Sequence, residues 1–240
     1  MISYCHSNVG QQRSENEDAS RCASLDDGRE LVVVADGMGG HSKGAEASAT
    51  AVERLFETVT SETPEDADRP ADLLERGFRA AHDAVTDLAA GERKTPGTTL
   101  VAALVADDTA TIANVGDSRA YYVDDELQQV TTDQSQVQEL VEAGEITPEE
   151  ASNHPMSHVL SQAIGTADDL DVDLYTQSIS AGWLLLCTDG LTDPVPEDTI
   201  EATCLDATSL EAAGTDLIRE ANDRGGPDNV TVGLCRTETA

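Results

Sequence analysis

Basic residues are scarce in this chain: 14 Lys and Arg stand against 47 Asp and Glu, for a formal net charge of -33. A field of that sign excludes nucleic acid and anionic membrane surfaces as partners recognised through net charge, because both need positive counterparts. Cysteines are few and unpatterned. Cys5, Cys22, Cys187, Cys204 and Cys235 show no metal-type pairing, and their odd number suits a reducing cytoplasm better than a disulfide framework. Cys187 and Cys235 fall within apolar strand patterns, where a thiol acts as a small hydrophobe. There is no apolar run of membrane-spanning length, no leader-like segment and no internal repeat, so a cytoplasmic protein is expected.

What is present argues for folding. Apolar residues make up 39% of the 240 positions and fall in strand-like and helix-like blocks, which opposes the disorder that so acidic a composition would otherwise suggest. The length suits one domain, 1–240, with a sizeable core. The acidic excess reads as adaptation to a high-salt cytoplasm, where screening removes self-repulsion.

The most informative stretch runs Leu31-Val32-Val33-Val34-Ala35-Asp36-Gly37-Met38-Gly39-Gly40-His41. A short continuous β-branched run predicts a strand buried on both faces. Its end delivers a carboxylate, followed by glycines that let backbone approach a ligand. Strands are also expected at 2–7, 19–25, 100–106, 109–115, 119–123, 127–130, 170–179, 183–187 and 229–235. Helices are expected at 44–58, 71–90 and 209–223, the second with Leu74, Phe78, Ala81, Val85 and Leu88 at helical period. An acidic loop over 61–70 separates the first two helices. Residues 131–166, with short helices at 134–143 and 148–153, read as a flap over one end of a sheet. Hairpin-like strands with paired helices argue for an α+β sandwich rather than a doubly wound fold.

An isolated Asp means little in so acidic a chain, and Asp-Gly is a common turn. Asp36, Asp117 and Asp189, however, each follow an apolar strand, and Asp228 stands at the start of the last one. If these strand ends meet, the carboxylates and the Gly37 carbonyl converge, and the cluster stays ionised only when cations neutralise it. All-oxygen ligands select Mg²⁺ or Mn²⁺ over zinc. A carboxylate-bridged pair of such ions, roughly 3.5–4 Å apart, activates water and polarises a phosphoester. Arg13, in a polar loop of a chain poor in bases, supplies a forked cation for phosphate oxygens.

Arg13-x-x-Asn16-Glu17-Asp18, Val34-Ala35-Asp36-Gly37-Met38-Gly39-Gly40-His41, Gly97-Thr98-Thr99, Gly116-Asp117-Ser118-Arg119, Cys187-Thr188-Asp189-Gly190-Leu191 and Asp228-Asn229-Val230-Thr231 occur in this order. Together they resemble the metal-dependent serine/threonine protein phosphatases of the PPM (type 2C) family in its compact prokaryotic form, over nearly the whole chain. The resemblance implies a central β-sandwich of two antiparallel sheets flanked by helix pairs, in α-β-β-α layers. It implies Asp36 bridging two Mn²⁺ or Mg²⁺ ions, Gly37 offering its carbonyl to one, and Asp189 and Asp228 completing the other. Asp18 and Glu17 would hold metal-bound waters. Asp117 with Asp189 would match a third-metal site, Arg13 would bind the substrate phosphate, and Asn229 would support the ligands.

Catalysis would be direct attack of activated water on phosphoserine or phosphothreonine; no Cys-x5-Arg signature points to a phosphoenzyme. The implied partners are phosphorylated proteins and an opposing serine/threonine kinase, for an enzyme acting as a monomer. Three alternatives remain: a phosphatase-shaped regulatory binding module without turnover, a phosphatase dedicated to a single regulatory partner such as an anti-sigma-factor antagonist, and an unrelated small-phosphoester hydrolase. The chain also departs from the family pattern. Asn8 stands where many members have Asp, which would loosen a hydrogen bond. Met38 stands where eukaryotic members carry a histidine proposed as general acid, leaving the proton to water or another group, with His41 a candidate. Gln134 replaces a usual His, and Ser157-His158 replaces a basic-Asn pair. His6, His82 and His154 read as structural or surface residues.

Overall fold

The computed structural model describes residues 2–40, 42–61, 69–88, 95–151, 154–166 and 169–237. Strands β1 (Ile2–Asn8), β2 (Asp18–Ser24) and β3 (Glu30–Met38) open the chain, followed by helices α1 (Ser42–Ser61) and α2 (Pro70–Leu88). Strands β4 (Gly97–Thr98), β5 (Leu100–Ala106), β6 (Thr109–Val115), β7 (Arg119–Val123) and β8 (Leu127–Gln129) come next. Between β8 and the next strand, in the stretch read from sequence as a flap, lie α3 (Gln136–Glu142) and α4 (Pro148–Ala151). Strands β9 (Asp173–Ser178) and β10 (Trp183–Cys187) lead into α5 (Asp189–Thr192), α6 (Glu197–Asp206) and α7 (Leu210–Asp223), and β11 (Val230–Arg236) follows.

One sheet has the order β1-β11-β10-β7-β8 and the other β2-β3-β5-β6-β9, with β4 paired to β3 off that path. The alternation of β3 explains the layering. Val32 and Val34 point between the sheets, against Val101, Ala103, Ile112, Leu184 and Leu186. Leu31, Val33 and Ala35 point outward, beneath Leu55, Phe56, Leu74 and Phe78 of α1 and α2. A strand buried on both faces needs a continuous apolar run, as its sequence has. Across the sandwich, Leu185, Val232 and Leu234 are covered by Ile200, Ala213 and Leu217 from α6 and α7. The architecture is the expected α-β-β-α sandwich of antiparallel sheets.

Differences from the sequence reading are local. The last two positions of the second expected helix, 152–153 of the flap helix, and most of the loop at 61–70 lie outside the described residues. The strand expected over 170–179 is shorter, because β9 lies at the end of its sheet and its side chains alternate between half-buried and exposed. Helices α5 and α6 are additional. Only Ile200 and Cys204 of α6 are buried, too little for a visible apolar stripe.

One expectation is corrected. Cys5 and Cys22 are joined by a disulfide with Cα atoms 5.9 Å apart, so they are not the reduced thiols the sequence suggested. They lie on β1 and β2, strands of different sheets that the sandwich brings face to face, and no local spacing signals that pairing. Cys187, Cys204 and Cys235 are free and buried. Burial pushes each thiol up to about 12, which keeps it a neutral hydrophobe. Among the described residues, no helix is long and apolar enough to cross a membrane.

Candidate metal centre

A cavity of about 570 Å³ opens at one end of the sandwich, lined among others by Arg13, Asp36, Gly37, Asp117, Asp189 and Asp228. Glu17, Met38, Asn229 and His158 also face it. The carboxylates that the sequence singled out therefore converge, apart from Asp18, which sits beneath the floor. His41 lies outside the described residues.

Register and hydroxyl groups fix these positions. Antiparallel pairing of β2 with β3 sets Asp18 opposite Asp36. The Asp36 N–H donates to Thr99 Oγ1 at 2.9 Å, while Thr98 Oγ1 donates to the Asp36 carbonyl at 2.7 Å. Thr99 Oγ1 is also 2.7 Å from Ser118 Oγ, which ties the loop after β4 to the one bearing Asp117. Thr188 Oγ1 donates to Asp18 Oδ2 at 3.0 Å and accepts from the Thr231 N–H at 3.1 Å. At Gly37 a Cβ would lie 2.2 Å from the Gly44 carbonyl oxygen and 2.4 Å from that of Glu17, so only glycine fits between α1 and the β2 entrance.

Asn229, 4% exposed, is the hub of the opposite wall. Its Oδ1 accepts from the Glu17 N–H at 2.7 Å, and its Nδ2 donates to the Val9 and Glu15 carbonyls, both at 2.9 Å. A single amide thus stitches the Arg13 loop to the start of β11. Arg13 itself reaches Asp228, Nη2 to Oδ2 at 2.6 Å; both side chains are partly open to solvent and the guanidinium keeps further donors free to face the cavity. Asn8 Oδ1 accepts from Gly10 N at 3.0 Å and from Asn222 Nδ2 at 3.3 Å. Gln134, in place of a histidine, holds the flap root to the Asp117 loop. Its Oε1 accepts from Gly116 N at 3.0 Å and its Nε2 donates to Asp173 at 2.9 Å.

The carboxylates are strained electrostatically. Burial first, and then the neighbouring Asp18 and Asp189, hold Asp36 well above the ordinary carboxylate range. Burial raises Asp18 to about 7 against two threonine hydroxyls that favour its charged form. Asp117 rises to about 7 through burial and the Asp189 charge. Asp189 rises to about 6 through burial and the Asp193 charge; its contact with Asp36 acts the other way, as expected if Asp36 holds the shared proton and donates it to Asp189. Asp18 Oδ1 and Asp189 Oδ1 are sealed from solvent without any hydrogen-bond partner. Orphaned carboxylate oxygens over an all-oxygen floor fit hard divalent cations, which would satisfy both deficits.

Sequence reasoning passed over Thr98, Thr99, Ser118 and Thr188 as holders of the ligands, although the quoted motifs contained them. It also missed Asp193, which follows Asp189 by one helical turn.

This sandwich, with a carboxylate-floored cavity beside the Arg13 guanidinium, defines a metal-dependent phosphohydrolase. A family model described as Protein phosphatase 2C matches residues 7–225, and the chain belongs to that family. It is 38% identical over 229 residues to the serine/threonine phosphatase Stp of Listeria innocua, covering 93% of this chain and 90% of that protein. The crystal structure of serine/threonine phosphatase Stp1 from Staphylococcus aureus superposes with a TM-score of 0.91 at 33% identity, covering 98% of this chain and 94% of that one. The catalytic domain of the serine/threonine protein phosphatase PstP in complex with two manganese ions superposes with a TM-score of 0.84 at 33% identity, over 97% and 96% of the two chains.

Proposed function

We propose that the whole chain forms one phosphatase domain that hydrolyses phosphoserine and phosphothreonine in proteins with Mn²⁺ or Mg²⁺. The convergence of Asp36, Asp189 and Asp228 on one cavity, with buried carboxylate oxygens unpartnered, carries this reading. Asp36 and the Gly37 carbonyl, with Asp189 and Asp228, would hold two ions. Asp117 with Asp189 would hold a third, and Glu17 and Asp18 would order water around them. When bound, the ions supply Lewis acidity toward water and toward phosphoryl oxygens. Arg13 binds and orients the phosphate; Asp228 keeps the guanidinium turned to the cavity. An intact ligand set argues against a module that has lost turnover.

Mn²⁺-supplemented assays on p-nitrophenyl phosphate and a phosphothreonine peptide, with EDTA controls in high salt, test the function. Hydrolysis of neither compound with Mn²⁺ would overturn it. An opposing serine/threonine kinase, a monomeric state and a high-salt cytoplasm belong to the same proposal. The last predicts unfolding on dialysis into low salt, followed by circular dichroism; full stability there would count against it.

Arg13→Ala should chiefly raise KM, because the phosphate is already charged in the ground state, with kcat much less affected. Steady-state kinetics on the phosphopeptide check this; an unchanged KM would remove Arg13 from phosphate binding. Asn229→Ala unties three hydrogen bonds that hold the ligand-bearing loop, and should weaken Mn²⁺ binding by roughly 10–100-fold in calorimetric titration.

A further inference from the structure

Strands β1 and β2 stand at the ends of their sheets, each with one hydrogen-bonded neighbour, β11 and β3 respectively. The Cys5–Cys22 disulfide crosses between these two edges and ties one sheet to the other. The carboxylate cavity is divided between the same two sheets. Asp18 and Asp36 belong to β2 and β3, whereas Asp189 and Asp228 flank β10 and β11. The bond also closes a loop. Its sequence span is 17 residues, and within that span lie Arg13, Glu17 and Asp18. Asn16 Nδ2 adds a hydrogen bond to Ser7 Oγ at 2.8 Å near the root of the loop. Asp228 turns the Arg13 guanidinium locally, but with side chains 51% and 32% exposed such a pair contributes little stability. The main chain of the loop must therefore carry Arg13 to the cavity.

We propose that Cys5 and Cys22 form a redox site that sets phosphatase activity: the disulfide holds the Arg13 loop and the β2 entrance against the opposite sheet, and its reduction by a dithiol releases them. The proposal rests on the reading of Arg13 as the phosphate ligand. A covalent closure removes conformations that the open loop would sample, so the oxidised chain presents Arg13 at lower entropic cost. Only one pair among the five cysteines is bonded, which suits redox sensing better than a disulfide framework. Both members are half-buried on edge strands, where a small dithiol can reach them. Cys187, Cys204 and Cys235 are buried and free, so exchange is confined to this pair. In the reduction, a thiolate of the dithiol attacks one sulfur of the pair, the S–S bond breaks, and a mixed disulfide forms. The second thiol of the reductant then displaces the protein sulfur. The reductant ends as a disulfide, having given two electrons and two protons, and Cys5 and Cys22 end as thiols.

The test oxidises the full chain with glutathione disulfide or reduces it with dithiothreitol, desalts it, and assays the phosphothreonine peptide with Mn²⁺ beside a Cys5→Ser/Cys22→Ser variant. Alkylation in denaturant should label three cysteines in the oxidised protein and five in the reduced one. Reduction should raise KM about 3- to 10-fold with kcat held within about twofold, and reoxidation should restore it. The variant should keep the reduced value under either treatment. Hydrogen exchange over 9–17, followed without metal, should quicken on reduction. Five labelled cysteines after oxidation, an unchanged KM, or unchanged exchange over 9–17 would each overturn the proposal. So would reduction that unfolds the chain by circular dichroism, since the bond would then be structural only. An oxidised enzyme that hydrolyses no phosphopeptide overturns the phosphatase reading instead, and exchange over 9–17 still decides the role of the bond.

Discussion

Asp36→Ala should abolish Mn²⁺-dependent hydrolysis, lowering kcat/KM by at least about a thousand-fold, on the order of 4 kcal/mol of transition-state stabilisation. Asp36 is the carboxylate on which the others bear: it is paired in register with Asp18, in contact with Asp189, and within the field of Asp117. Its removal takes away the group proposed to bridge the two ions of the main pair. The loss is not one of folding, because the main chain at this position is held by Thr98 and Thr99 through the carbonyl and N–H, which alanine keeps. The metal-free variant should in fact melt higher than wild type near neutral pH, since a buried and repelled carboxylate has been deleted. Activity lost with stability gained is the signature of a functional site held against its own electrostatics. Phosphopeptide turnover with Mn²⁺, together with melting in EDTA, measures both. Near-normal turnover would refute the assignment.

Much of the fold was legible because its signals are local. The β3 run is apolar at every position from Leu31 to Ala35, and the structure buries both of its faces. Helices α1 and α2 carry broad apolar stripes and were found within a few residues of their ends. Helix α5 has only four residues, and neither it nor α6 shows a stripe to read. The site divides in the same way. Its carboxylates were visible because each follows or precedes a strand, and strand ends are local features. Of the groups that hold them, Asn229 was named through the family resemblance, whereas its partners and the supporting threonines were not. Asn229 reaches Val9 and Glu15 across more than two hundred residues, and the Cys5–Cys22 disulfide joins strands of different sheets. Such contacts exist only once the two sheets are stacked. Asn8 is similar: that its amide oxygen accepts from Gly10 and from the distant Asn222 could not be read from its departure from the family pattern.

Without divalent metal, the protein should lose stability as pH rises from about 4 to about 7, and Mn²⁺ should reverse that loss. Asp18 and Asp117 are raised from 3.8 to about 7, and Asp189 to about 6. Between the unfolded and folded values the native state binds more protons than the unfolded chain, so raising the pH favours unfolding. The stabilisation from protonated carboxyls is complete below about 3.8 and is gone once the pH has passed about 7. The surface acids act in the same direction as they ionise, by increasing self-repulsion. Each tenfold change in proton affinity corresponds to about 1.4 kcal/mol, so the buried cluster places several kcal/mol at stake, on the order of 10 °C in melting temperature. Divalent cations bind the deprotonated carboxylates and release protons, so their effect has the opposite pH dependence. The melting-temperature gain from Mn²⁺ should therefore be small near pH 5 and large near about pH 7.5. Thermal melts in EDTA and in Mn²⁺ at several pH values check both slopes, and Asp36→Ala should flatten the EDTA series. A metal-free melting temperature that holds steady or climbs between those pH values would mean that the carboxylates are not repelling one another in the folded protein, and the case for cations as their natural partners would fail with it.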